Sequence, residues 1–112
     1  MDVNLYPELY DAIYKNSVWP QDLLKNLSDS DYVEVKFDSY LDGLRSELSF
    51  MDEGHKIVTV YYFDKREFVQ RIEMIESDSC ITVYDRIADV TLLLEKIGKL
   101  DSLNEIMKLM AA

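Results

Sequence analysis

The chain has 112 residues, enough for one packed domain and too few for two, and its 48% hydrophobic content with 12% aromatics excludes bulk disorder. Its 22 acidic residues outnumber 12 basic ones, giving a formal net charge of -10. That balance argues against direct nucleic acid or anionic membrane binding and favours attraction of a basic partner.

The N-terminal segment MDVNLYPEL has no basic-then-apolar leader pattern, and no long apolar run follows. Cys80 is the single cysteine, so no internal disulfide is expected, and the chain reads as cytoplasmic. Pro7 is suited to open a first helix over residues 7–16, because a helix leaves its first amides unpaired. Leu9 and Ile13 form its apolar line, and Tyr6, Tyr10 and Tyr14 form a second stripe at the same spacing. The stripe is expected to be a half-buried flank, with a partner-binding ridge as the alternative. Pro20 opens a second helix over residues 20–27, with Leu23, Leu24 and Leu27 on one side and Trp19 as a packed plug before it.

Strand patterning begins after Ser28-Asp29-Ser30-Asp31. Val33, Val35 and Phe37 alternate with Glu34, Lys36 and Asp38, which predicts a strand over 32–41. Asp42-Gly43 is a hairpin signal leading into a strand over 44–51. That register sets Leu41 opposite Leu44, Ser39 opposite Ser46, Phe37 opposite Leu48 and Val35 opposite Phe50. It also sets Asp38 against Glu47, a like-charge pair, and a helix over residues 39–50 is the competing reading.

The run KIVTVYYF is rich in β-branched and aromatic residues on both sides, as in an interior strand over 56–63. Short polar turns separate it from strands over 67–76 and 79–84. In the former, Phe68, Ile72 and Met74 are expected to alternate with Val69, Arg71, Glu73 and Ile75. Cys80 is expected to be a small buried side chain. Asp85 can cap a helix over 86–97 with Ile87, Val90, Leu93, Leu94 and Ile97 inward and Gly98 at its end. Ser102 and Glu105 have capping-box spacing for a last helix over 102–110, whose stripe is Leu103, Ile106, Met107 and Met110.

These elements predict a single α+β domain: an antiparallel meander sheet of four to five strands, flanked by two N-terminal and two C-terminal short helices that cover one face.

Chemical motifs are sparse. His55 stands alone in a polar turn, Cys80 has no resolving partner, and one of each is too few for a zinc site. The glycines are too scattered for a phosphate loop, and residues 29–38 lack the glycine and final glutamate of a calcium loop. No catalytic residue, cofactor or metal is therefore expected.

The acidic residues concentrate in two regions, Asp29, Asp31, Glu34, Asp38, Asp42 and Glu47, then Glu73, Glu76, Asp78, Asp85 and Asp89. The leading reading is a protein-binding domain of inhibitor, immunity or antitoxin type, able to act as a nucleic-acid mimic, that meets a basic partner through these carboxylates. The candidate contacts are Asp29, Asp31, Glu34, Asp38, Asp42, Glu47, Glu73, Glu76 and Asp78. The alternative is a homo-oligomeric adaptor, such as a homodimer, joined through a sheet edge or through Tyr6, Tyr10, Tyr14, Ile106, Met107 and Met110. A small carboxylate-dependent enzyme is the third reading.

Overall fold

A computed structural model describes residues 5–25 and 31–111, and Asp29 and the predicted end of the second helix lie outside them. The elements are α1 (Tyr6–Tyr14), α2 (Asp22–Lys25), β1 (Tyr32–Tyr40), β2 (Gly43–Asp52), β3 (His55–Phe63), β4 (Val69–Glu76), β5 (Ser79–Asp85), α3 (Arg86–Ile97), a 3-10 turn (Leu100–Ser102) and α4 (Leu103–Ala111). The architecture is α+β: a five-stranded antiparallel meander in the order β1-β2-β3-β4-β5, with short helices at both ends of the chain. Contacts divide the chain into two compact units. One runs from Ser17 to Asp85, and the other joins the chain up to Asn16 with the chain from Arg86 onward.

In the sheet unit, residues 39–50 form the hairpin and not the helix. Its register differs from the expected one by two residues: Ser39 faces Leu44, Phe37 faces Ser46 and Val35 faces Leu48. The turn is Leu41-Asp42, with Leu41 at a φ of 53°, and Gly43 already belongs to β2. Two causes can be named. The shift sets Asp38 against Arg45 and Lys36 against Glu47, replacing a like-charge pair with two opposite ones. Gly43 is needed elsewhere, because a Cβ there would lie 2.1 Å from the Phe63 carbonyl oxygen. A shift of two keeps the side chains from Glu34 onward on their expected faces. The bulge at Val33 leaves that residue, expected inward, 56% exposed and turns Tyr32 to the core instead.

The β2–β3 turn is Glu53-Gly54, both at positive φ, as a two-residue hairpin of that type requires. Between β3 and β4, Asp64 organises the chain. Its Oδ1 accepts the amides of Arg66 (2.9 Å) and Phe68 (3.0 Å), and its Oδ2 accepts Gln70 Nε2 (3.1 Å). A bulge beside Phe63 then leaves Val69 opposite Phe63. Val69 therefore sits on the same face as Ile72 and Met74, correcting the expected alternation, and it is buried.

That face holds the sheet core. Leu48, Phe63 and Val69 cluster with Leu23 of α2, and Val35, Leu44, Tyr61, Ile72 and Tyr84 pack around them. Asp22 holds the entry to α2, since its Oδ2 accepts the Trp19 amide at 2.9 Å, the back-bond of a capping box. Trp19 is half-buried, edge-on to Phe68 at 5.3 Å.

The helical unit has its own core. Leu9 and Ile13 of α1 meet Val90, Leu94 and Ile97 of α3 and Met110 of α4, so most of the apolar stripes read from the sequence share one interior, whereas Ile87 and Met107, expected inward, are exposed. Gly98, at a φ of 85°, ends α3, and the amides of Gly98 and Lys99 return to the Leu94 carbonyl at 3.0 and 2.8 Å. Arg86, the first residue of α3, is 1% exposed. Its Nε donates to the Ala12 carbonyl at 3.2 Å and its Nη2 donates to the Ile13 carbonyl. These belong to the last turn of α1, whose carbonyls the helix leaves unpaired and whose dipole favours a cation. One buried side chain thus ties the two termini together across more than 70 residues of sequence.

Candidate functional site

Strand alternation collects charged and phenolic side chains on the sheet face opposite the apolar cluster. Glu34, Lys36, Asp38 and Tyr40 come from β1, Arg45 and Glu47 from β2, Tyr62 from β3, and Arg71 and Glu73 from β4. Their geometry is that of a closed network. Arg45 Nη2 lies 3.2 Å from Glu47 Oε1 and its guanidinium sits 5.7 Å from the Tyr62 ring centre. The Tyr62 hydroxyl donates to Glu73 Oε1 at 3.0 Å, and Arg71 Nη2 meets Glu73 Oε2 at 2.8 Å. Tyr40 packs edge-on to Tyr62 at 5.1 Å. The Tyr62 hydroxyl holds the Arg45 guanidinium above its ordinary pKa, opposed by burial and assisted by the Glu47 carboxylate.

This face brings together Glu34, Asp38, Glu47 and Glu73, but as half of a mixed-charge lattice. Glu34 is 3.7 Å from Lys36, Glu47 and Glu73 have their arginines, and Asp38 lies across from Arg45. Carboxylates so compensated project little net field into solvent.

A second acidic group lies elsewhere. In a meander every second turn falls at the same end, so the start of β1, the β2–β3 turn and the β4–β5 turn share one end of the sheet. Asp31, Asp52, Glu53, Glu76 and Asp78 are there, all exposed, with Lys56 and His55 between them. The Met51 amide donates to the Asp31 carbonyl at 2.8 Å, which anchors the start of β1 beside the end of β2. Among the described residues, Asp52, Glu53, Glu76 and Asp78 form no ion pair. Asp52 and Glu53 were not among the sequence candidates, although the meander order alone would place their turn beside that of Asp78. Asp42 is exposed at the opposite end, next to Leu41, which is 88% exposed.

The apolar candidates divide. Tyr6, Tyr10 and Tyr14 are 43%, 58% and 51% exposed, with the last two rings 4.8 Å apart, so the stripe lies on the surface of α1. Met107 is exposed and Ile106 half-buried, whereas Met110 belongs to the helical core.

Cys80, expected inside, is exposed, because β5 is an edge strand and leaves Cys80 with only Ile75 as its cross-strand neighbour. His55 is exposed opposite Asp52. Among the described residues no group of three or more His, Cys, Asp or Glu is arranged to hold a metal ion, and no helix is long and apolar enough to cross a membrane.

Comparison with known proteins finds no family model that matches the chain, and no curated protein or solved structure with significant similarity to it.

Proposed function

We propose that the chain is a small acidic protein-binding domain that engages a basic protein, in the manner of an inhibitor, immunity or antitoxin-type protein. The observation that carries this reading is the separation of its carboxylates into two populations. Those on the polar sheet face are matched by Lys36, Arg45 and Arg71, while Asp52, Glu53, Glu76 and Asp78 stand exposed and without ion pairs at one end of the sheet. Unmatched exposed carboxylates steer a basic partner inward and set the salt dependence of the encounter.

The test is capture of partners from cells of the source organism at low and high salt, using the parent protein and an Asp52→Asn, Glu53→Gln, Glu76→Gln, Asp78→Asn variant. A basic protein retained at low salt, released at high salt and lost with the variant is the expected outcome. Capture that the four substitutions leave unchanged would overturn the assignment.

The second reading, a homo-oligomeric adaptor, draws on the exposed tyrosine stripe of α1. It predicts self-association that persists at high salt and is lost on replacing Tyr10 and Tyr14 with serine.

A further inference from the structure

The two edges of the sheet are built differently. On β1, Glu34, Lys36 and Asp38 occupy alternate positions, which discourages pairing with another strand, whereas a bulge is common to both edges, at Val33 on β1 and at Val83 on β5. β5, at the other edge, reads SCITVY from Ser79 to Tyr84 without a charge. Cys80, Ile81, Thr82 and Val83 are exposed, with Ile81 at 60% and Val83 at 57%. Its β-branched residues suit a pleated ladder, and the outer side of an edge strand presents backbone donors and acceptors to any extended chain.

Charge decides what that chain is. Carboxylates stand at both ends of β5: Glu76, across from Ser79, and Asp78 where it begins, and Asp85 where it finishes, while Glu73, across from Thr82, is already held by Arg71. Antiparallel pairing of β5 with a second copy would lay the Asp78 end of one beside the Asp85 end of the other. It would also join two sheet units that each carry fifteen acidic and seven basic residues. A segment with lysine or arginine at its ends meets opposite charge at the same places.

We infer that the β5 edge receives an extended segment of a basic partner as a sixth strand, with backbone pairing along Cys80 to Val83 and cationic side chains toward the bracketing carboxylates. This rests on the acidic-binding reading above and adds to it the edge and the mode of contact.

The probe is a labelled synthetic peptide of alternating valine and threonine with two lysines at each end, titrated at low salt. It is expected to bind and to slow hydrogen exchange at the amides of Cys80 to Val83. Replacing its lysines by glutamates is expected to weaken it by at least about tenfold, as several exposed ion pairs add up to one decade. N-methylation at alternate residues keeps the charge but removes ladder donors, and should cause a comparable loss. Ile81→Thr with Val83→Thr, which leaves charge and β-branching intact, should weaken binding several-fold.

If the N-methylated peptide binds as tightly as the parent and β5 exchange is unchanged, the edge proposal falls while the acidic reading stands. If the glutamate peptide binds as well as the lysine peptide with β5 protected, both fall. Failure of the lysine peptide to bind also overturns the edge proposal. In that case a dimer that Ile81→Lys with Val83→Lys dissolves would assign the edge to a second copy.

Discussion

The helical unit and the sheet unit are stabilised by different means and carry different charge. Residues 1–16 and 86–112 hold seven acidic and five basic residues, whereas residues 17–85 hold fifteen and seven. The helical unit rests on apolar stripes and on one buried cation, Arg86. The sheet unit rests on an apolar face backed by a lattice of exposed and half-buried ion pairs, and the acidic excess lies in it. A net charge serving solubility alone would need no such segregation. The acidic excess on which the proposed binding surface draws therefore belongs to the sheet unit.

Replacing Arg86 should break that comparison most sharply. Arg86→Met keeps much of the volume but strips two charge-assisted bonds from the end of α1, each worth about 1.5–3 kcal/mol. The expected loss is roughly 3 kcal/mol or more, concentrated in α1, α3 and α4. Urea unfolding combined with hydrogen exchange checks it: helical amides should lose protection while those of β2, β3 and β4 keep theirs. A uniform loss across both units would show that Arg86 does not act through the helical core alone.

The converse substitution is Gly43→Ala. A methyl group 2.1 Å from the Phe63 oxygen and 2.8 Å from the Asp64 carbonyl carbon forces the backbone of β2 and β3 apart. Overpacking of this kind costs about 1–3 kcal/mol, here confined to the sheet. Exchange protection should fall at Leu44 and Phe63 and hold at Val90 and Leu94.

Gly43 also marks where the sequence misleads. Asp-Gly is a turn signal, yet the close approach of β3 draws the glycine into the strand and leaves Leu41 to take the positive φ. The faces of the β1 and β2 residues from Glu34 onward were legible because the side-chain period is two and a shift of two preserves it, whereas the bulge that turns Val33 outward has no signal in the alternation. The register was not, although the unfavourable Asp38–Glu47 pairing already hinted at the shift, since the charges match only after it. The end of α3 was legible at Gly98, because a positive φ is cheap only for glycine. Arg86 was not, because nothing local marks a cation whose acceptors lie more than 70 residues away. As for the site, the acidic excess was visible in composition. Which carboxylates are paired is set by cross-strand neighbours that appear only with the register.

A smaller effect sharpens the contrast through pH. Tyr61 lies on the apolar face of β3, and burial, followed by the neighbouring Tyr32, pushes its phenol above the ordinary value. The fold thus holds the proton more tightly than the unfolded chain does. The contribution is fully present below the unfolded pKa of about 10 and is lost as pH rises through the higher folded value. Tyr61→Phe removes the titrating group, so the alkaline fall in stability should be shallower in the variant, while stability at neutral pH changes by no more than about 1 kcal/mol. Unfolding midpoints followed from neutral to strongly alkaline pH check this. Probes in β3 and β4 should separate the two proteins, and probes in α3 should not. If the alkaline limb is unchanged at β3, exposure of Tyr61 to solvent outweighs its burial, and the apolar face is wetter than its packing implies.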